Sequence, residues 1–212
     1  MGSEPYLFEV KNMEAITSKE LWKQIRNRKR AHTILLRKDA RKYIRMVWEE
    51  LCDEQLSSTT SLDDIEHHVD FHAAIWEAST EILPGLEVQV VIDDNWKLYI
   101  STGTPGFVGF PKEPKGLKLP IRCWIHTHPF GRAYFSGIDW NTVSIWGSQM
   151  KCAYVLGGGQ HYGFWDAKNP NELTIYHDDE YDLASGQMLQ SPIEIQLKSE
   201  SLGLKENLKE GE

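Results

Sequence analysis

Between residues 38 and 51 the apolar side chains Ala40, Tyr43, Ile44, Val47, Trp48 and Leu51 recur at steps of three and four. That spacing predicts a helix with one buried face and its basic residues outside. Residues 56–62 run Leu-Ser-Ser-Thr-Thr-Ser-Leu, a polar break and the best linker signal in the chain. Helical spacing resumes in Phe71, Ala74, Ile75, Ala78 and Ile82, so a second helix is expected over about residues 64–83, ended by Pro84-Gly85. The period then shortens. Residues 88–92 and 96–100 are short apolar runs around Asp93-Asp94-Asn95, and residues 121–127 form a third run that Pro129 stops. A helix over about 136–150 and short strands at 153–156, 161–165 and 173–176 complete the pattern, with Gly-Gly-Gly and Asn-Pro-Asn between strands. The fold class expected is α/β, a mixed β-sheet flanked by helices and preceded by a helical extension.

Composition narrows the class. With 41% hydrophobic and 25% charged residues the chain is neither disordered nor a membrane protein of the helical kind, since no apolar run approaches twenty residues. The opening residues have no basic flank followed by an apolar stretch, and Tyr6 breaks the myristoylation pattern. Cys52, Cys123 and Cys152 are odd in number and widely spaced, which suits small buried side chains in a reducing cytoplasm.

Charge divides the chain. Residues 19–45 hold eleven Lys/Arg against Glu20 and Asp39, a local +9, so the remaining twelve bases and twenty-nine acids carry −17. The expected organisation is a basic helical extension over 1–60, a body over 61–197 and a charged, frayed tail over 198–212. Basic residues at 23–30 can dock on the acidic body or meet an acidic partner. Without interleaved aromatics they are weak support for nucleic-acid binding.

The chemistry is concentrated in His126-Thr127-His128-Pro129 and Ser136-Gly137-Ile138-Asp139. On a strand, Trp124, His126 and His128 project to one side and Ile121, Cys123 and Ile125 to the other. Both imidazoles can therefore converge on one metal ion. A loop of about ten residues can return Asp139 to the strand end from the first turn of the next helix. Two His and one Asp leave a tetrahedral position open, the layout of a catalytic rather than a structural zinc site. Separately, H-x-H reads as two surface imidazoles and S-x-x-D as a helix cap. Together, five specified residues at fixed spacing arise by chance only on the order of 10⁻⁵ to 10⁻⁴ times in such a chain.

H-T-H-P-x6-S-x-x-D resembles the motif of the JAMM (MPN-plus) zinc metalloproteases. The resemblance covers roughly residues 65–195 and leaves the first fifty unexplained. It implies a JAMM/MPN core of the cytidine-deaminase-like kind, with zinc on His126, His128 and Asp139. It also implies an oxyanion donor in Ser136 and an upstream glutamate serving as general base and then acid. Glu87, after the Pro-Gly stop and at the head of the 88–92 strand, fits that place. Glu77 and Glu81 lie off the helix stripe, Glu66 precedes it, and the glycines that follow the family's glutamate are missing here. The implied activity is cleavage of an isopeptide or peptide bond after a ubiquitin-like carboxy-terminus. A catalytically silent scaffold and a nucleic-acid-binding protein led by the basic arm are the alternatives. A second metal cluster is conceivable at His67, His68 and His72 beside Glu66, but H-E-x-x-H is absent and a polar helix face is expected. His161 and His177 have no local partners.

Overall fold

The computed structural model describes residues 16–27, 33–110, 112, 114–158, 162–177 and 193–198. Residues 1–15, basic residues 28–30, His161 and the tail beyond 198 lie outside them. The elements are α1 (Ser18–Asn27), α2 (Thr33–Ser58), α3 (Val69–Glu77), β1 (Val88–Ile92), β2 (Leu98–Thr102), β3 (Ile121–Thr127), α4 (Gly137–Trp146), β4 (Met150–Leu156), β5 (Tyr162–Asp166), β6 (Glu172–His177) and β7 (Ile193–Lys198). The strands form one mixed sheet in the order β2-β1-β3-β4-β5-β6-β7. Among the described residues only β3 and β4 run parallel, and α4 supplies the crossover that a parallel pair needs.

Several boundaries differ from the sequence pattern. Trp96 is not in a strand. It sits at φ 61° in the β1–β2 turn, where the buried Asp93 carboxylate accepts from the Asn95 and Lys97 amides at 2.9 and 3.0 Å. The second helix begins at Val69, capped by His68, and changes at Ala78–Ile82 into a π-turn. Helix α4 ends at Trp146, and a 3₁₀ turn leads into β4 at Met150 rather than Ala153. Strand β7 has no counterpart in the expected elements, and Ile121 joins the cluster around Trp124 instead of that around Cys123 and Ile125.

The helices of the extension pack against the rest of the fold. Helix α2 runs through Ser58, so the first half of the supposed linker is helical. Leu21, Ile25, Tyr43, Ile44, Trp48 and Leu51 are buried in one core cluster with Phe71, Ile75, Val90 and Ile125. Arg37 donates to the Thr102 and Gly103 carbonyls at 2.6 and 2.8 Å, pinning α2 to the end of β2. The basic helices are therefore part of the core and dock on the body. Their buried side chains cover the apolar faces of α3 and the sheet, so removing them would leave those faces open to water. A fragment starting at Ser61 is expected to lack a cooperative thermal transition by circular dichroism. A sharp melt within a few degrees of the full chain would restore the separable extension.

The three clustered histidines have separate duties. His67 Nδ1 meets the Tyr154 hydroxyl at 2.7 Å, His72 Nε2 meets the Glu66 carbonyl at 2.9 Å, and His68 accepts from the Asp70 amide at 3.2 Å. The Glu66 carboxylate lies 3.4 Å from Arg122, whose guanidinium covers Trp96. Burial lowers the His72 imidazole to about 4, outweighing the raising effect of its bond to the Glu66 carbonyl. Neutral in the folded state, His72 makes unfolding proton-linked. Stability is complete above the unfolded value near 6.5 and falls as pH drops toward 4, by about 1.4 kcal/mol per pH unit. Chemical denaturation between pH 7 and 4 is expected to show a fall of this sign, to which His126, also lowered by burial, adds, and His72→Gln to make it shallower. An equal slope in the variant would place the linkage elsewhere.

Candidate metal centre

The site forms where β1 begins and β3 ends, beside the first turn of α4. Antiparallel register pairs Gln89 with His126. Continuing it two residues sets Glu87 opposite His128, just beyond the strand, where the His128 amide still bonds the Leu156 carbonyl at 2.8 Å. Trp124 stacks on His126 with centroids 4.5 Å apart and planes 13° from parallel, while its indole N–H donates to Gln89 Oε1 at 3.2 Å. The first ring is thereby held between neighbours.

From His128 the chain turns back through a loop that lies against Gly157. A Cβ there would fall 2.3 Å from the Ala133 nitrogen, so the close approach needs glycine. The loop delivers Ser136 as the N-cap of α4. Its hydroxyl accepts from the Asp139 amide at 3.3 Å, and the Asp139 carboxylate accepts from the Ser136 amide at 2.7 Å. This capping box is what holds Asp139 toward the strand end.

His126 Nε2 lies 3.1 Å from one Asp139 oxygen and His128 Nε2 3.5 Å from the other. One ligand atom from each residue lies within 4.8 Å of the others, the one such convergence of three His, Cys, Asp or Glu side chains among the described residues. Tetrahedral coordination with bonds of about 2.0–2.1 Å places donor atoms ~3.3 Å apart, the scale of the two histidine–carboxylate contacts. His126 is 1% exposed, yet its Nε2 has no hydrogen bond, because the carboxylate contact lacks donor geometry. A buried ring nitrogen without a partner is costly, and a cation between the three groups would satisfy it. The residues present fit a divalent metal ion.

The local charges agree. Burial lowers the His126 imidazole, outweighing the Asp139 carboxylate beside it and favouring the neutral, ligating form. Burial works to raise the Asp139 carboxyl, yet the facing His126 and His128 rings, with Ser136, hold it well below the ordinary carboxylate range. Glu87, 7% exposed, is raised by burial and by Asp139, with His128 opposing.

Glu87, His126, His128, Ser136 and Asp139 line one cavity of about 510 Å³. The other candidate carboxylates lie elsewhere: Glu77 accepts from the Tyr43 hydroxyl at 2.6 Å, and Glu81 is exposed. Away from the polar end the cavity is largely apolar, lined by Trp124, Ile121, Met150, Phe107 and Phe110. The sequence pattern did not single out the 103–110 loop as a wall. Its only signal is aromatic and branched side chains set among glycines. No family model, curated protein or solved structure matches this chain.

Proposed function

We propose that the protein is a zinc-dependent amide hydrolase of the JAMM type, acting in the cytoplasm on the isopeptide or peptide bond that follows a ubiquitin-like carboxy-terminus. The observation that carries this reading is the convergence of His126, His128 and Asp139 in one cavity with Glu87 and Ser136. The order of strand, H-x-H and capped helix in the α/β core is consistent with a JAMM core.

Zinc held by the two imidazoles and the carboxylate supplies Lewis acidity, polarising a carbonyl and making water more acidic. Glu87, partly desolvated, is suited to take a proton from the attacking water and to deliver it to the leaving amine. The Ser136 oxygen is engaged as the helix cap, which leaves its hydroxyl proton free to point into the cavity. A donor of that kind to a developing oxyanion is worth about 100- to 1000-fold in rate. The apolar lining of the cavity suits a carboxy-terminal segment that carries apolar side chains.

The test is incubation of the zinc-loaded full chain with ubiquitin-like proteins extended through their carboxy-terminus by a peptide or lysine amide. Chelator-sensitive release of the extension is expected. Stoichiometric zinc with no cleavage of any conjugate would favour the silent scaffold, since every ligand would then be present without turnover.

A further inference from the structure

The residue between the two histidines faces the opposite side of the sheet and is fully buried. Thr127 Oγ1 accepts from the Val88 amide at 2.9 Å and donates to Ser79 Oγ at 2.8 Å. Ser79, also fully buried, donates to the Leu86 carbonyl at 2.6 Å. The peptide groups tied down belong to the residues immediately before and after Glu87. From the other side, the Glu87 amide and carbonyl bond Thr104 and Gly103 at 3.0 and 2.8 Å.

Ser79 lies within the π-turn that closes the helix. The Leu83 amide bonds the Ala78 carbonyl at 3.0 Å, a five-residue step that places one extra residue in the last turn of the helix. Single π-turns are frequent at functional sites. Nothing in the hydrophobic stripe of that helix calls for a hydroxyl at position 79, and a buried hydroxyl is costly unless its partners are met. Here both are.

We infer that Ser79 and Thr127 are positioning residues, a two-hydroxyl clamp that fixes the backbone on either side of Glu87 and so sets its carboxylate against the His126–His128–Asp139 centre. Thr127 thereby links the ligand strand to the segment carrying the proton-handling group. The clamp touches neither substrate nor metal. Its role in turnover rests on the proposed function of Glu87; its role in holding the segment does not.

The primary experiment is amide hydrogen exchange on the zinc-loaded full chain, read at Val88 and Val90. Thr127→Val is expected to keep one zinc per chain and to speed Val88 exchange at least tenfold while leaving Val90, in the regular ladder, unchanged. Thr127→Ser restores protection. Ser79→Ala, which cuts the relay at its other end and guards against misfolding of the first variant, is expected to speed Val88 exchange by a smaller factor. Unaltered Val88 exchange in both variants, or equal acceleration at Val88 and Val90, would overturn the clamp.

The link to turnover is read separately on a carboxy-terminally extended ubiquitin-like fusion. Thr127→Val lowers kcat with KM nearly constant, and the loss disappears in a Glu87→Gln background. Persistence of the full loss in that background would show that Thr127 does not act through Glu87. If Glu87→Gln itself turns over normally, the general-base reading fails while the exchange result still decides the clamp.

Discussion

Glu87→Gln is expected to lower turnover of an amide conjugate at least about 100-fold, the scale of general acid–base catalysis, with fold and zinc content nearly unchanged. The amide keeps the size of the side chain and its hydrogen-bonding capacity but cannot accept a proton at neutral pH. Glu87 is suited to the role because the β1–β3 register carries it to the metal centre and burial raises its carboxyl. Two controls separate catalysis from stability. Glu81 is exposed, so Glu81→Gln is expected to be silent. Glu77 holds the Tyr43 hydroxyl between α2 and α3, so Glu77→Gln is expected to lower the melting temperature without lowering kcat. Normal turnover by Glu87→Gln, with either control inactive, would move the base onto the helix.

The purified protein is expected to hold about one zinc per chain, and the His126→Ala, His128→Ala double variant to hold almost none by elemental analysis. Two of three ligands are lost, and one carboxylate already committed to the α4 cap does not hold a divalent ion alone. Zinc is also expected to raise the melting temperature of the wild-type chain and to leave that of the double variant unmoved, because only a folded state with the ligands assembled gains binding energy. Asp139→Asn acts twice, weakening the metal site and the Ser136 cap together. Full zinc occupancy in the double variant would direct attention to His67, His68 and His72, whose ring nitrogens would first have to leave Tyr154, Glu66 and Asp70.

Local periodicity determined much of this protein. The three-and-four spacing of Phe71, Ala74, Ile75, Ala78 and Ile82 marks a buried face, and alternation along Ile121–Thr127 puts His126 and His128 on one side of a strand. Ser136 and Asp139 declare a helix start three residues apart. These are short-range rules, satisfied within a turn or a few residues, and so legible in the chain itself. The meeting of the ligands is also local in origin, since one loop joins the strand end to the helix cap.

Other features depend on contacts between residues far apart in sequence. A polar stretch at 56–62 looks like a linker, but whether the helix before it is free or buried depends on what its apolar face meets, and here it meets α3 and the sheet. Composition shows the charge of Arg37 but not the Thr102 and Gly103 carbonyls that take it up. Thr127 reads as the variable residue of a motif until β1 is laid beside β3 and Ser79 is brought beneath them, 48 residues away. Hydrogen bonds of buried hydroxyls leave no period in the sequence, because their partners are set by the packing of whole elements. The choice among Glu66, Glu77, Glu81 and Glu87 is of the same kind: four carboxylates of similar chemistry, of which register carries only Glu87 to the metal centre.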